Sequence, residues 1–169
     1  MNRAFEDIVE AHKNRIYSYA YHFLGRREEA EDVTQEVFLR LWRHLPKLES
    51  GCLAAWLTTV TRNAARDSLR RRARTEGRYG PEDPEGVEAG DDPHAEAEDA
   101  EFRDRLRRAL VRIDEPYRSA LILREVQGMK YREIAEALRL PVNTVKTHVH
   151  RGRRILRGAL AEAGSHVRA

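Results

Sequence analysis

The amino-acid sequence predicts an all-α protein, built of two small helical domains that are joined by a flexible acidic linker. Apolar residues recur at the three- and four-residue spacing of helices in both halves of the 169-residue chain. No segment alternates apolar with polar residues in the manner of a β-strand, and no Asn-Gly hairpin turn occurs. No apolar run approaches the 18 residues or so of a membrane span. We therefore expect a cytoplasmic protein without a signal peptide.

Charge is distributed unevenly along the chain. Residues 1–80 carry 15 Lys and Arg against 11 Asp and Glu, and residues 102–169 carry 16 against 7. Residues 81–101 hold ten carboxylates, three prolines and no Lys or Arg. Basic ends around an acidic middle are typical of a chain whose ends meet nucleic acid. The composition of the acidic segment favours a solvated spacer over a segment that mimics nucleic acid by charge.

These patterns set the predicted limits of the domains. We expect a first domain at residues 1–78, a linker at 79–101, a second domain at 102–160 and a short tail at 161–169.

The first domain is predicted to be a bundle of three helices. Helix one has an apolar stripe that begins at Phe5, and Gly25 is placed to end it. Helix two opens near Arg27 and is stopped by Pro46. Helix three starts at about Leu53 and continues into a run of arginines. Short connections between the three helices favour a compact bundle.

The second domain is predicted to begin with a helix that carries Phe102 to Ile113 on its apolar stripe. Asp114 is a candidate N-cap of the next helix, with Pro116 in the first turn. Gly128 then makes a turn into the last two helices.

Residues Tyr131 to Leu156 have the pattern of a helix-turn-helix. Tyr131 to Leu138 is the expected scaffold helix, and residues 139–141 form the turn. In the following helix four residues recur at helical spacing and define its buried stripe, namely Val145, Val149, Gly152 and Leu156. The second helix of such a motif lies in the major groove of DNA.

The opposite face of this recognition helix is basic and polar, and it consists of Asn143, Lys146, Thr147, His150, Arg151 and Arg154. We expect Lys146, Thr147, His150 and Arg151 at or near base edges, and Arg153 and Arg154 on phosphate oxygens. A solvated basic face on an ordinary helix hairpin is the alternative. His148 and His150 face in different directions, which argues against a metal site.

One face of helix two consists of Asp32, Gln35, Glu36, Leu39, Arg40 and Arg43. Leu39 is an apolar residue on an otherwise polar surface, which suits a docking face. The residues alone favour a solvated helix with one stray leucine. For Trp42 and Trp56, core packing is favoured over base stacking. The single cysteine, Cys52, is expected at a helix start, with redox sensing as the weaker alternative.

The segments Asp32 to Trp42 and Ala55 to Arg70 resemble regions 2.1 to 2.4 of the extracytoplasmic-function group of bacterial sigma factors. Leu123 to Ala135 and Pro141 to Arg151 resemble region 4 of the same group. The motifs occur in the expected order and cover nearly the whole chain outside the linker. The resemblance implies a promoter-specificity subunit of RNA polymerase with no cofactor and no enzymatic activity.

The resemblance also implies a task for each part. Helix two would dock on the clamp helices of the largest polymerase subunit. The loop from Pro46 to Gly51 and the start of helix three would receive a base flipped out of the −10 element. The melting strand would be held by Asn63, Arg66, Arg70, Arg71 and Arg72. The recognition helix would read the −35 element, and the linker would follow the nucleic-acid path of polymerase. An anti-sigma factor is an expected partner.

Two departures from the family pattern concern the helix-turn-helix. Lys130 stands where a Ser or Thr commonly caps the scaffold helix, so that end is expected to fray. Arg139 stands where glycine is common, so a left-handed backbone there would be strained. A dimeric helix-turn-helix regulator that acts without polymerase is the alternative function. An enzyme is disfavoured because no catalytic arrangement is present in the sequence.

Overall fold

The computed structural model describes residues 3–48, 51–76 and 97–166. Within these ranges the chain is helical and contains no strand. The elements are α1 (Arg3–Leu24), α2 (Arg27–His44), a 3-10 turn (Leu45–Lys47), α3 (Leu53–Glu76), α4 (Ala97–Val111), α5 (Tyr117–Leu121), a π-helical turn (Ile122–Val126), α6 (Tyr131–Leu138) and α7 (Val142–His166). The all-α prediction is therefore confirmed for the part of the chain that the structure describes.

The ends of the first helices follow from local chemistry. Gly25 has a φ of +75° directly after α1, and its N–H donates to Tyr21 O at 2.8 Å. Such a left-handed backbone is free of strain only for glycine, so α1 ends where predicted. Pro46 lies in the 3-10 turn that follows α2. Cys52 accepts a hydrogen bond from Trp56 N at 2.9 Å and lies just before α3, as expected.

Three boundaries differ from the sequence prediction. Helix α4 begins at Ala97, so the last residues of the predicted linker are helical, whereas residues 79–96 of that linker lie outside the described residues. Helix α7 continues to His166, into the predicted tail. Asp114 is not the N-cap of α5: Pro116 occupies that position, and Asp114 contributes only its carbonyl, which accepts from Arg118 N at 3.1 Å.

The first domain consists of α1, α2 and α3 packed side by side. Apolar residues at helical spacing meet at its centre, among them Phe23, Val37 and Leu41, each 0 % exposed. Small residues of α3, such as Ala64 and Ala65, let this helix approach its neighbours closely. The sequence stripes therefore point inward as predicted.

The second domain consists of α4 to α7 around a core that includes Leu110, Leu121, Ile134, Val145 and Val149. The π-helical turn after α5 carries Leu123 into this core. The two domains do not stand apart: α1 packs on α4 and on the π-helical turn, and α3 packs on α6. Their apolar residues form one continuous core.

Among the described residues no helix combines the length and the apolar character that crossing a membrane requires.

Candidate nucleic-acid and polymerase interfaces

The recognition helix α7 is held by its predicted stripe. Val145 and Val149 are fully buried, and Gly152 lies where α5 crosses α7. A Cβ atom on Gly152 would meet Tyr117 O at 3.3 Å and Leu121 Cβ at 3.4 Å. A side chain at this position would press on the backbone of α5, which would have to move by a few tenths of an ångström.

The opposite face of α7 is open to solvent. Asn143, Lys146, Thr147, His150, Arg151 and Arg154 are all exposed. The Arg151 guanidinium donates to the Tyr117 hydroxyl at 3.1 Å, so a residue of α5 orients a predicted base-contacting side chain. Sequence reasoning missed Tyr117 because it lies 34 positions away from Arg151.

Arg153 is half-exposed and forms an ion pair. Its Nε donates to Glu125 Oε1 at 2.7 Å, and Nη2 lies 2.5 Å from the same oxygen. The hydrogen bond to Glu125 raises the pKa of Arg153 above its usual value. A phosphate would therefore have to compete with this carboxylate for Arg153.

Tyr131 at the start of α6 lies among cations that the sequence did not group together. The Arg124 guanidinium lies 4.6 Å from the centre of its ring, and Lys146 Nζ lies 6.0 Å from it. Cations are attracted to the face of an aromatic ring. Tyr131 thus helps to hold Lys146 at the exposed face of α7.

Both unusual residues of the helix-turn-helix are accommodated. Lys130 provides no side-chain cap, but its N–H donates to the Glu133 carboxylate at 2.6 Å, so one free donor of α6 is satisfied. Arg139 has φ 53° and ψ 47°, the left-handed backbone that carries strain for a residue other than glycine. Leu140 N donates to Ala135 O at 3.0 Å across this turn and closes the end of α6.

The predicted −10 residues on α3 do not all have the same surroundings. Asn63, Arg70 and Arg71 are exposed and Arg66 is half-exposed. Arg70 lies 3.5 Å from an Asp67 oxygen, on the same helix. These residues form a solvent-facing row along the helix.

Arg72 differs from this row because its guanidinium points into the protein. Its Nη1 donates to Glu29 at 2.9 Å and to Leu24 O at 3.2 Å, and its side chain is only 17 % exposed. Burial lowers the pKa of Arg72 and raises the pKa of Glu29. In this structure Arg72 joins α3 to the other two helices of the first domain.

The predicted docking face of α2 contains an exposed apolar pair. Leu39 is 59 % exposed and Trp42, three residues later, is 48 % exposed. The expectation that Trp42 is a core residue is therefore wrong, although its ring meets Phe5 edge-on with centroids 4.9 Å apart. Trp56, by contrast, packs against the core.

Charged residues surround this apolar pair. Asp32, Gln35 and Arg43 are exposed, and Glu36 and Arg40 are half-exposed. Glu36 pairs with Arg40 at 2.5 Å and lies 3.8 Å from Arg71 on α3. The predicted polymerase and −10 surfaces are thus adjacent and meet at Glu36.

Comparison with known proteins agrees with this architecture. The model of the family Sigma-70 region 2 matches residues 8–75, and that of Sigma-70, region 4 matches residues 103–156. These two regions, in this order, define the sigma-70 class of transcription initiation factors. The chain belongs to the extracytoplasmic-function (ECF) group of this class. Membership of this group does not favour the alternative function, a dimeric helix-turn-helix regulator that acts without polymerase.

Two curated relatives and one solved structure illustrate the match. The chain is 35% identical to the ECF RNA polymerase sigma factor SigE of Mycolicibacterium smegmatis over 96% of its own length, but it spans only 63% of that relative. It is 31% identical to SigW of Bacillus subtilis, covering 94% of this chain and 90% of the relative. The sigma factor RpoE of Bartonella quintana, solved with the anti-sigma factor NepR, matches with a TM-score of 0.77 and 24% identity, covering 95% and 98% of the two chains.

Proposed function

We propose that this protein binds the core of RNA polymerase and directs initiation at promoters that carry a −10 and a −35 element. The proposal rests on one observation, which is that this chain combines two different surfaces. The recognition helix α7 has a fully exposed basic face, and helix α2 has an exposed apolar pair. The first suits DNA and the second suits a protein partner.

Helix α7 reads the −35 element in this proposal. Side chains near the N-terminal end of a recognition helix reach base edges, which assigns Lys146, Thr147, His150 and Arg151 to bases. Asn143 precedes them on the same exposed face. Arg153 and Arg154 lie further along the helix and contact phosphates.

Helix α3 engages the −10 element. Asn63, Arg66, Arg70 and Arg71 offer a solvent-facing polar and basic row to a single strand whose bases are unstacked. Arg72 acts indirectly in this proposal, because its ion pair with Glu29 fixes α3 and leaves its guanidinium turned away from solvent. A base extruded from the duplex is received by the loop from Pro46 to Gly51, of which residues 49 and 50 lie outside the described residues.

Helix α2 binds the clamp helices of the largest polymerase subunit. Leu39 and Trp42 provide the apolar centre of the contact, and Asp32, Gln35, Glu36, Arg40 and Arg43 provide its polar rim. An apolar centre with a charged rim is the usual anatomy of a protein interface. An anti-sigma factor is a further proposed partner, since the similar RpoE was solved with one.

A binding assay with purified core polymerase tests the docking surface. Leu39→Asp places a charge at the centre of the contact, and we expect it to lower the affinity for core at least tenfold. Ala11→Asp is the matched control, because it adds the same charge at an exposed position of α1. Core affinity that is equal for both variants would contradict the assignment of α2.

A further inference from the structure

Three arginines of the recognition helix lie close together along α7, and their surroundings differ. Arg153 pairs with the Glu125 carboxylate, and Arg154 is exposed. Arg151 is also exposed, but its Nη1 donates to the Tyr117 hydroxyl at 3.1 Å. Arg151 is therefore held by a residue of α5, which lies outside the helix-turn-helix.

Tyr117 is fixed against α7 by its ring and by its backbone. Its ring meets the His148 ring edge-on, with centroids 5.6 Å apart and an angle of 79° between the planes. Its carbonyl oxygen lies 3.3 Å from the place that a Cβ atom of Gly152 would take. The side chain also packs against the apolar core. The hydroxyl that accepts from Arg151 thus belongs to a side chain with little freedom of its own.

The ring of His148 leaves Arg151 undisturbed at neutral pH. Burial lowers the pKa of His148, the charge of Arg151 lowers it further, and Glu115 acts in the opposite direction. Since the ordinary value is 6.5, the ring is uncharged at pH 7. An uncharged ring does not repel the guanidinium that lies beside it.

The chemistry of its partner decides what Arg151 can still do. A carboxylate neutralises the arginine that it binds, as Glu125 does for Arg153, whereas a hydroxyl leaves the full positive charge. A guanidinium has several N–H donors, and the bond to Tyr117 occupies Nη1. The edge formed by Nε and Nη2 remains for O6 and N7 of a guanine in the major groove. Arg151 is thus held in place and still able to make a bidentate contact with a base.

Ordering an arginine before it meets DNA increases its power to discriminate between bases. A long side chain loses rotamer freedom when it binds, and this loss opposes association. Where the side chain is already ordered in the free protein, the loss has occurred on folding. The gain applies only to a base pair that accepts the contact, so it raises discrimination and not the general affinity for DNA.

We propose that Tyr117 is a specificity-determining residue of the −35 reader, and that it acts by positioning Arg151 for one base pair. The inference rests on the proposed function and adds to it a residue outside the recognition helix. The preference for a −35 sequence is then set by α5 as well as by α7.

Tyr117→Phe tests this role, because it removes the hydroxyl and keeps the ring that packs on His148. Competition binding of holoenzyme to a set of singly altered −35 duplexes measures discrimination at each base pair. We expect discrimination to fall about three- to tenfold at the base pair that Arg151 reads, with no change at the others. Tyr17→Phe is the matched control, since it removes a tyrosine hydroxyl from α1, outside every proposed site, and it should behave as the wild type does.

Combination with Arg151→Ala distinguishes positioning from a direct contact of Tyr117 with DNA. Without the arginine the hydroxyl has nothing to position, so the double variant should discriminate as Arg151→Ala alone does. A further loss in the double variant would show that the hydroxyl contacts DNA itself, and would overturn the positioning role.

NMR relaxation of the arginine Nε–H groups in the full-length protein tests the positioning without DNA. The Nε–H group of Arg151 is expected to be nearly as ordered as the backbone in the wild type, and clearly less ordered in Tyr117→Phe. Arg154 is the internal reference, because it is exposed on the same helix and should be equally mobile in both proteins. A loss of packing alone would not change the order of Arg151 and leave that of Arg154 unaltered.

Two further results would overturn the inference. One is an Arg151 side chain that is equally mobile in the wild type and in Tyr117→Phe. The other is a Tyr117→Phe variant whose affinity changes alike for all duplexes, or for none. Failure of the proposed function has a different signature, because wild-type holoenzyme would then not discriminate among the duplexes although Tyr117 still ordered Arg151 in the free protein.

Discussion

The guanidinium of Arg118 donates to Phe23 O across the boundary between the two domains. Its other nitrogens donate within the second domain, to Ile113 O and to Val111 O at 2.6 Å each, and its Cζ lies 4.9 Å from the centre of the Phe23 ring. One buried guanidinium group thus donates hydrogen bonds to three carbonyl groups. Burial lowers the pKa of Arg118 from its usual value.

Arg118→Lys is expected to lower the free energy of unfolding by about 1–3 kcal/mol, because a single ammonium group cannot reach three carbonyl groups that the planar fork serves. Urea denaturation followed by circular dichroism measures the change. Arg132→Lys at an exposed position of α6 is the control and should have no effect. Equal stability of the two variants would show that the buried fork is dispensable.

Arg151→Ala is expected to relax preference at one base pair of the −35 element by about 1–3 kcal/mol, since its guanidinium is assigned to a base edge. Competition binding with a set of singly altered −35 duplexes, using holoenzyme, measures this preference. Arg154→Ala should instead weaken all duplexes alike, because it is assigned to a phosphate. A uniform loss for Arg151→Ala would reassign that residue to the backbone.

Glu125→Gln should strengthen promoter binding by holoenzyme, because it frees Arg153 from its ion pair. We expect the affinity of holoenzyme for promoter DNA to rise about two- to fivefold. We also expect this affinity to depend more steeply on salt concentration, by about one released counterion. Glu136→Gln, which neutralises an exposed carboxylate on α6, controls for the change in overall charge. If both variants gain equally, the effect is a general one of charge and the competition at Arg153 is refuted.

The free energy of unfolding is expected to decrease as the pH is lowered, because of His22. Burial lowers the pKa of His22 from its usual 6.5, with Arg107 acting in the same direction and a hydrogen bond to Ser18 O opposing both. The unfolded chain therefore binds a proton that the folded chain resists, so stability is lost as pH decreases from 6.5 towards the lowered pKa.

His22→Gln should flatten this loss between pH 7.5 and 5.5 in urea denaturation. His150→Gln, at an exposed position, is the comparison and should keep the wild-type slope. An unchanged slope in His22→Gln would assign the pH dependence to other groups.

Much of the local structure follows from the sequence because its causes are local. Glycine at position 25 ends α1, and the spacing of Val145, Val149 and Gly152 decides which side of α7 is buried. Arg139 stands at a turn position where glycine is common, and its backbone is left-handed. These features depend on residues that are near each other along the chain.

Features that depend on distant partners could not be predicted. Arg72 belongs to a run of arginines, and its partner Glu29 is 43 positions away. Arg107 and Arg118 contribute to the basic charge of the second domain, yet both are buried against α1. Hydrophobic periodicity finds the core of each domain separately and carries no signal for a contact between domains that is made by charged side chains.

Transcription reconstituted from purified core polymerase and this protein tests the central proposal most directly. Templates would carry promoters mapped for the protein, with the −10 and −35 elements altered separately as controls. We predict defined transcripts that require the protein, that are lost when either element is altered, and that are absent with Leu39→Asp. Core enzyme that initiates equally with and without the protein would contradict its role as a sigma factor.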